Sequence, residues 1–192
     1  MKIGEPPLSA FVCLYLCWLA NSGWAINAKS QEIPKIGQPA PTFFLPQLDG
    51  NKFYLSDYCG RQENEAKPKP RKTVVLNFLT TYCKFCKQEI PVLNSLVNKF
   101  PQDSIVLAFV DVGEKKDTVE AHFKDKSFNR PVLIDQFSAV ADKYKVKNFP
   151  TTVVIDTLGI VRFYGCGYTH KNIIKIKNIL NILFNRARAI KK

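Results

Sequence analysis

Histidine is scarce in this 192-residue chain, which has only His122 and His170. The Cys-x-x-Cys pair at Cys83 and Cys86 has no second pair to match it, so the ligand spacing of a zinc site is missing. Acidic residues are the next shortage. There are 16 against 28 Lys+Arg, a net charge of +12, and none from residue 157 to the C-terminus. No apolar run reaches the ~20 residues of a spanning helix more than once, which excludes a multi-span membrane protein. Internal repeats are absent. What is present is globular in proportion, 46% hydrophobic and 23% charged, which excludes a disordered tail or a collagen-like repeat. The length suits about one domain, with a core large enough to need no metal or disulfide staple.

Residues 8–20, LSAFVCLYLCWLA, form an uncharged, mostly apolar run after Lys2 and before the small residues of 21–25. Such a run fits the apolar core of an export signal, with Gly23-Trp24-Ala25 as a cleavage site. The alternative is an uncleaved N-terminal anchor reaching about Ile26. Val12 and Leu16 stand before Cys13 and Cys17 where a lipidation motif needs a small residue. Cleavage after Ala25 removes Cys13 and Cys17, and it removes Lys2 and Glu5 together, so the net charge is unchanged. Residues 26–35 read as a polar linker, 36–187 as the folded domain and 188–192 as a basic tail. An exported chain, periplasmic or on the outer face of the membrane, can keep a disulfide.

Two short β-like runs, 42–45 and 52–55, flank Asp49-Gly50-Asn51 and predict a hairpin. Residues 60–72 are polar and charged, with Lys67-Pro68-Lys69-Pro70, and read as an exposed loop. The apolar runs 73–79 and 105–110 predict buried strands. Residues 84–100 space Ile90, Leu93, Leu96, Val97 and Phe100 as one face of a helix, with a kink expected at Pro91. Then follow a helix over 116–126, a short strand over 131–134 and a helix over 137–144. Strands at 151–155 and 161–164 are joined by Asp156-Thr157-Leu158-Gly159, and a helix over 169–187 closes the domain. This order predicts an α/β fold. It has a mixed central sheet with flanking helices, an N-terminal β-hairpin and a central helix–strand insertion.

Cys83 and Cys86 fall between a strand and a helix. The first turn of a helix offers unpaired N–H groups and a partial positive charge, which favour a thiolate. Lys84 and Lys87 add positive charge. Cys83 is therefore the attacking thiolate, and Cys86, one turn in, the resolving thiol. A structural bridge across so few residues would constrain the unfolded chain little.

Three blocks in order resemble a known family. They are Thr80-Thr81-Tyr82-Cys83-Lys84-Phe85-Cys86 through Pro91 after the strand ending at Phe78, then Tyr144 to Phe149-Pro150-Thr151-Thr152, then Ile155-Asp156 to Gly159. Together with Gly37 to Phe43, they look like the TlpA/ResA group of exported thiol–disulfide oxidoreductases of the thioredoxin-like fold, over about 36–184. The resemblance implies a cis peptide before Pro150, packed against the disulfide, with the Phe149 backbone facing a partner. It implies substrate contact through Tyr82, Lys84, Phe85, Phe149, Pro150 and Thr151, and no cofactor beyond the Cys83–Cys86 disulfide. It also implies exported protein thiols or disulfides as partners, apocytochrome c among them, and a membrane-embedded reductant.

Two features depart from the family pattern. Tyr82 replaces a usual Trp, and Lys84-Phe85 replaces a pair that often contains proline. Asn77 stands where cytoplasmic thioredoxins bury an acid. Lys84 favours the thiolate, so a couple more oxidising than thioredoxin is expected.

Cys59 and Cys166, outside these blocks, are either a second disulfide or separate thiols. Glu89 is expected to face solvent or lysines, His122 to lie on a polar helix surface and His170 to flank the last helix. The acid-free basic C-terminal helix is a solvated face or a contact for an anionic membrane surface or an acidic partner. No nucleic-acid motif is present. Two other functions use the same fold. A peroxiredoxin-like peroxidase would use Thr80-x-x-Cys83, but Leu76 replaces the proline that motif wants. A copper-delivery protein would need a CxxxC and a downstream His, and both are missing.

Overall fold

The computed structural model describes residues 34–60, 70–124 and 129–190, with side chains to 186. The expected export segment, most of the linker, the Lys67 to Lys69 run and the last two residues lie outside these. All described residues belong to one unit, residues 31–192.

The strands are β1 (Phe44–Pro46), β2 (Lys52–Tyr54), β3 (Thr73–Leu79), β4 (Ile105–Val112), β5 (Val132–Asp135), β6 (Thr151–Ile155) and β7 (Val161–Cys166). The helices are α1 (Lys84–Val97), α2 (Lys116–Phe123), α3 (Ala139–Lys143) and α4 (His170–Ile190). β1 and β2 pair antiparallel as the expected hairpin. The other five form a sheet in the order β5-β4-β3-β6-β7. β3, β4 and β5 run parallel, whereas β6 and β7 are antiparallel to their neighbours. The insertion is α2 with β5. Pro91 lies inside α1, which runs on to Val97.

β3 is buried at all seven positions because both faces of the sheet are covered. Side chains alternate between the two faces. Val74, Leu76 and Phe78 join the layer made with Phe43, Leu45 and Phe53 of the hairpin region and Val140, Ala141 and Tyr144 around α3. Val75 and Leu79 join the other, with Ile90, Leu93 and Val97 of α1, Val119 and Phe123 of α2 and Ile176 and Leu180 of α4. The Tyr144 hydroxyl donates to Pro41 O at 2.8 Å, and its ring meets Phe43 edge-on and Phe78 at a tilt.

Both sheet edges are occupied, which removes templates for unwanted strand pairing. Leu48 N donates to Val132 O, and Gln47 bridges Leu133 beside β5. Gly37 N donates to Val161 O and Val161 N to Gln38 O beside β7. The β6–β7 corner is fixed by Asp156, 5% exposed, which accepts from Leu158 N, Ile160 N and Arg162 Nε. Gly159 closes that turn at φ +79°, where an added Cβ would come within 3.0 Å of Gly60 Cα.

Leu93 is the fully buried anchor of α1, and Ile182 on α4 is 52% exposed. Leu93→Ala is expected to cost about 2–5 kcal/mol. Ile182→Ala should stay within about 0.5 kcal/mol. Urea unfolding of the oxidised protein measures both.

Candidate active site

β3 delivers the chain to Thr80 at one end of the sheet, and α1 starts four residues later. Cys83 is the N-cap of α1, and its sulfur accepts the Cys86 N–H at 3.1 Å. One donor of the open first turn is thus spent on the reactive sulfur. Cys83 and Cys86 form a disulfide with Cα atoms 5.2 Å apart. Cys83 is half-buried and Cys86 fully buried, so only the first sulfur can meet a partner.

Tyr82 is 76% and Phe85 59% exposed, and Lys84 and Lys87 are exposed beside them. Phe149 is half-buried and packs against both core layers, one of which it shares with Cys83 and Cys86. The Phe149–Pro150 peptide is cis. Pro150 and Thr151 are buried, and the Thr151 hydroxyl donates to Asn148 O at 2.7 Å. Four of the six expected contact residues thus have side-chain surface at this end of the sheet. Pro150 and Thr151 lie beneath it.

Of the two readings open for Cys59 and Cys166, the structure has separate thiols. Cys166 pairs in register with Thr151, at one end of β6, while Gly60 N, next to Cys59, bonds Thr157 O beyond the other end. Roughly 20 Å of strand separates those ends, at ~3.3 Å per residue. A disulfide needs Cα atoms within about 7 Å. Cys59 is 4% exposed, and burial pushes its thiol up to about 12. Cys166 is exposed.

Glu89 does not face solvent. It is 1% exposed, on the same helix face as Cys86 and Leu93. Asn77 Nδ2 donates to Glu89 Oε2 at 2.7 Å and to Thr152 Oγ1 at 2.9 Å, and the Thr152 hydroxyl donates to Glu89 Oε2 at 3.4 Å. Burial raises the Glu89 carboxyl above the usual range, against the pull of these hydrogen bonds. Asn77 thus holds a buried acid on the next element rather than being one. Sequence reasoning missed Asp111 and Glu114. Asp111 ends the apolar run of β4, opposite Leu79, and is fully buried. Burial and the nearby Glu114 charge push its carboxyl up to about 8. Glu114 accepts from Thr81 N and Thr81 Oγ1, both at 2.6 Å. A lone acid inside a β-branched run was the signal available.

Among the described residues, no group of three or more His, Cys, Asp or Glu is placed to hold a metal ion, and no helix is long and apolar enough to cross a membrane.

A redox-active dithiol at the start of a helix, on a sheet of this order, defines a thioredoxin-like oxidoreductase. The AhpC/TSA family model matches residues 36–164, and the chain belongs to that family. It is similar to the thiol-disulfide oxidoreductase ResA of Geobacillus thermodenitrificans (strain NG80-2), 33% identical over 165 residues, covering 84% of this chain and 88% of that one. ResA of Bacillus subtilis (strain 168) is 34% identical over 137 residues, covering 71% and 70%. Among solved structures, the exposed lipoprotein thioredoxin Etrx1 of Streptococcus pneumoniae strain TIGR4 aligns with TM-score 0.58 at 25% identity, covering 72% and 99%. A thioredoxin-family thiol:disulfide interchange protein of Chlorobium tepidum TLS shares the fold, with TM-score 0.61 at 20% identity, covering 78% and 98%. The protein is a ResA-like redoxin with thiol–disulfide oxidoreductase activity.

Two measurements follow from the burial at this site. Native alkylation of the oxidised protein followed by peptide mapping should modify Cys166 and spare Cys59 until unfolding. The raised carboxyls of Asp111 and Glu89 hold protons in the folded chain that the unfolded chain has released. Their contribution to stability is full below the ordinary carboxyl range and lost as pH rises, for Asp111 through about 8. The urea midpoint should therefore fall between about pH 5 and about pH 8, and fall less in Asp111→Asn.

Proposed function

We propose that the protein exchanges electrons with cysteine pairs of other exported proteins. The reading rests on the asymmetry of the dithiol, with Cys83 at the N-cap of α1 accepting the Cys86 N–H while Cys86 is buried. In the reduced state the Cys83 thiolate attacks a substrate disulfide. A Cys83–substrate mixed disulfide forms, and one substrate sulfur leaves as thiolate. Cys86 then gives up its proton and attacks the Cys83 sulfur. The Cys83–Cys86 disulfide closes, the second substrate thiolate leaves, and two electrons have passed to the substrate. Glu89, buried one turn beyond Cys86, is the carboxyl placed to take that proton. Tyr82, Lys84 and Phe85 form the exposed rim that meets the substrate. The backbone of Phe149, which has no hydrogen-bond partner among the described residues, is the edge for an extended substrate segment. Pro150 and Thr151 support that edge from beneath.

The substrate class we favour is the cysteine pair of apocytochrome c, reduced before haem attachment, with a membrane-embedded reductant restoring the dithiol. The reading is supported by the resemblance to the TlpA/ResA group and by the expected export segment at 1–25. We place the protein periplasmic or on the outer face of the membrane. The exposed Lys171, Lys175, Lys177 and Arg186 of α4 suit contact with anionic lipid. A peroxidase reading is weaker, because the Thr80 hydroxyl that would help seat peroxide is buried.

Cys86→Ala should accumulate a Cys83 mixed disulfide with the natural substrate in cells, and Cys83→Ser should form none. Insulin disulfides should be reduced by the wild type only. No adduct together with no insulin reduction would sink the reading, and peroxide turnover without a protein partner would replace it. A glutathione titration should place the couple above about −270 mV, the thioredoxin value.

A further inference from the structure

Among the described residues, buried side-chain oxygens without a hydrogen-bond partner occur on Asn77, Thr80 and Asp111. Asn77 and Asp111 belong to neighbouring strands and Thr80 directly follows β3, so all three lie around the β3–β4 ends that lead into the Cys83 turn. Buried polar atoms are normally satisfied, and a cluster of exceptions at one place calls for a physical reason. Both Asp111 oxygens are orphans, in a side chain with no exposure.

The group beside Asp111 is another carboxyl, Glu114. Two carboxylates cannot hydrogen-bond, since each only accepts. With one proton between them, one becomes a donor and the pair is satisfied. The burial decides which keeps it. Asp111 is enclosed, whereas Glu114 is half-buried and already receives the Thr81 N–H and hydroxyl, which favour its charged form. Thr81 lies two residues before Cys83, on the turn closed by the bond from Cys83 N to Thr80 O.

We propose that Asp111 and Glu114 hold one proton between them and, through the two bonds from Thr81 to Glu114, act as a positioning pair that sets the ionisation of Cys83. The proposal rests on the oxidoreductase reading above. With the proton in place, Asp111 donates to Glu114, which keeps its grip on Thr81. Without it, two negative charges face each other behind the turn, the grip on Thr81 weakens, and a thiolate at Cys83 is opposed by one more buried charge. Other ionisable groups occur on the elements around Asp111. They are Lys84, Cys86, Lys87 and Glu89 on α1, Lys115 in the loop after β4, Lys116, Asp117, Glu120 and His122 on α2, and Asp135 on β5. Asp135 is engaged elsewhere, accepting from Val140 N and Ala141 N at the start of α3. Among all of these, the charge that acts most strongly on Asp111 is that of Glu114.

The test is the pH profile of iodoacetamide alkylation of Cys83 in the reduced full chain. The wild type should show two steps, one for the Cys83 thiol and one near pH 8 for the pair. Asp111→Asn, whose amide donates to Glu114 at every pH, should lose the second step. A variant profile that superimposes on the wild type over the whole range overturns the proposal. If Asp111→Asn does not fold, carbon-13 labelling of aspartate carboxyls in the wild type reads the group directly. One carboxyl titrating near pH 8 supports the pair, and all of them titrating in the ordinary aspartate range overturns it. Alkylation uses no protein partner. A two-step profile in a protein that reduces no insulin would therefore count against the oxidoreductase reading and leave the pair standing.

Discussion

The junction between β3 and α1 is the constraint on which the rest of the molecule depends. β3 is buried along its whole length between two neighbours, and α1 is anchored by Leu93 and Ile90 against the same sheet. With both elements held, the four residues between them have little freedom, and Cys83 must cap the helix. The Cys86 N–H then points at its sulfur rather than at water. A helix end is generally a place where backbone donors need partners. Here the need is met by the group whose negative form the chemistry requires, so the local stability of α1 and the readiness of Cys83 to ionise have one cause.

The same junction gathers buried polar groups, among them Asn77, Thr80, Glu89 and Asp111. Enclosing Glu89 and Asp111 costs stability unless each stays neutral or finds donors. Asn77 and Thr152 supply donors to Glu89 from two strands. Asp111 has only Glu114. A core of Leu and Val in these positions would avoid that cost, but it would remove the titratable groups from beneath the disulfide. The layer under the disulfide is where the fold gives up stability for reactivity.

Much of this was legible in the chain because the signals are local. The mostly apolar run of β3, the turn at Asp156 to Gly159 and the Cys-x-x-Cys after a strand each carry their meaning in a few neighbours. The hairpin, the parallel β3–β4 pair and the antiparallel β6–β7 pair followed from them. What was not legible depended on distance through space. Glu89 looks polar beside Lys87 and Gln88, and only its place on the Cys86–Leu93 face buries it. Asp111 lies one residue beyond the strand that apolar pattern alone would end at Val110. Cys59 and Cys166 look like a pair in a list of cysteines. The strand register puts them at opposite ends of β6.

That separation sorts the cysteines by environment rather than by number. Cys59 packs with Leu55 and Val161, its sulfur donating to Leu55 O, and its raised thiol makes it an apolar filler at any physiological pH. Cys166 stands in solvent at the same end of the sheet as the disulfide, but on β7, with Thr151 between it and β3. Thiol exchange is strict about approach, since the attacking sulfur must reach its target directly. Cys166 therefore has no route to Cys86, which lies fully buried under α1. Among the described cysteines, only Cys83 combines solvent access, a helix N-terminus and a partner sulfur one turn away. The selectivity of the dithiol is thus a property of the strand order and needs no special reactivity in the other thiols.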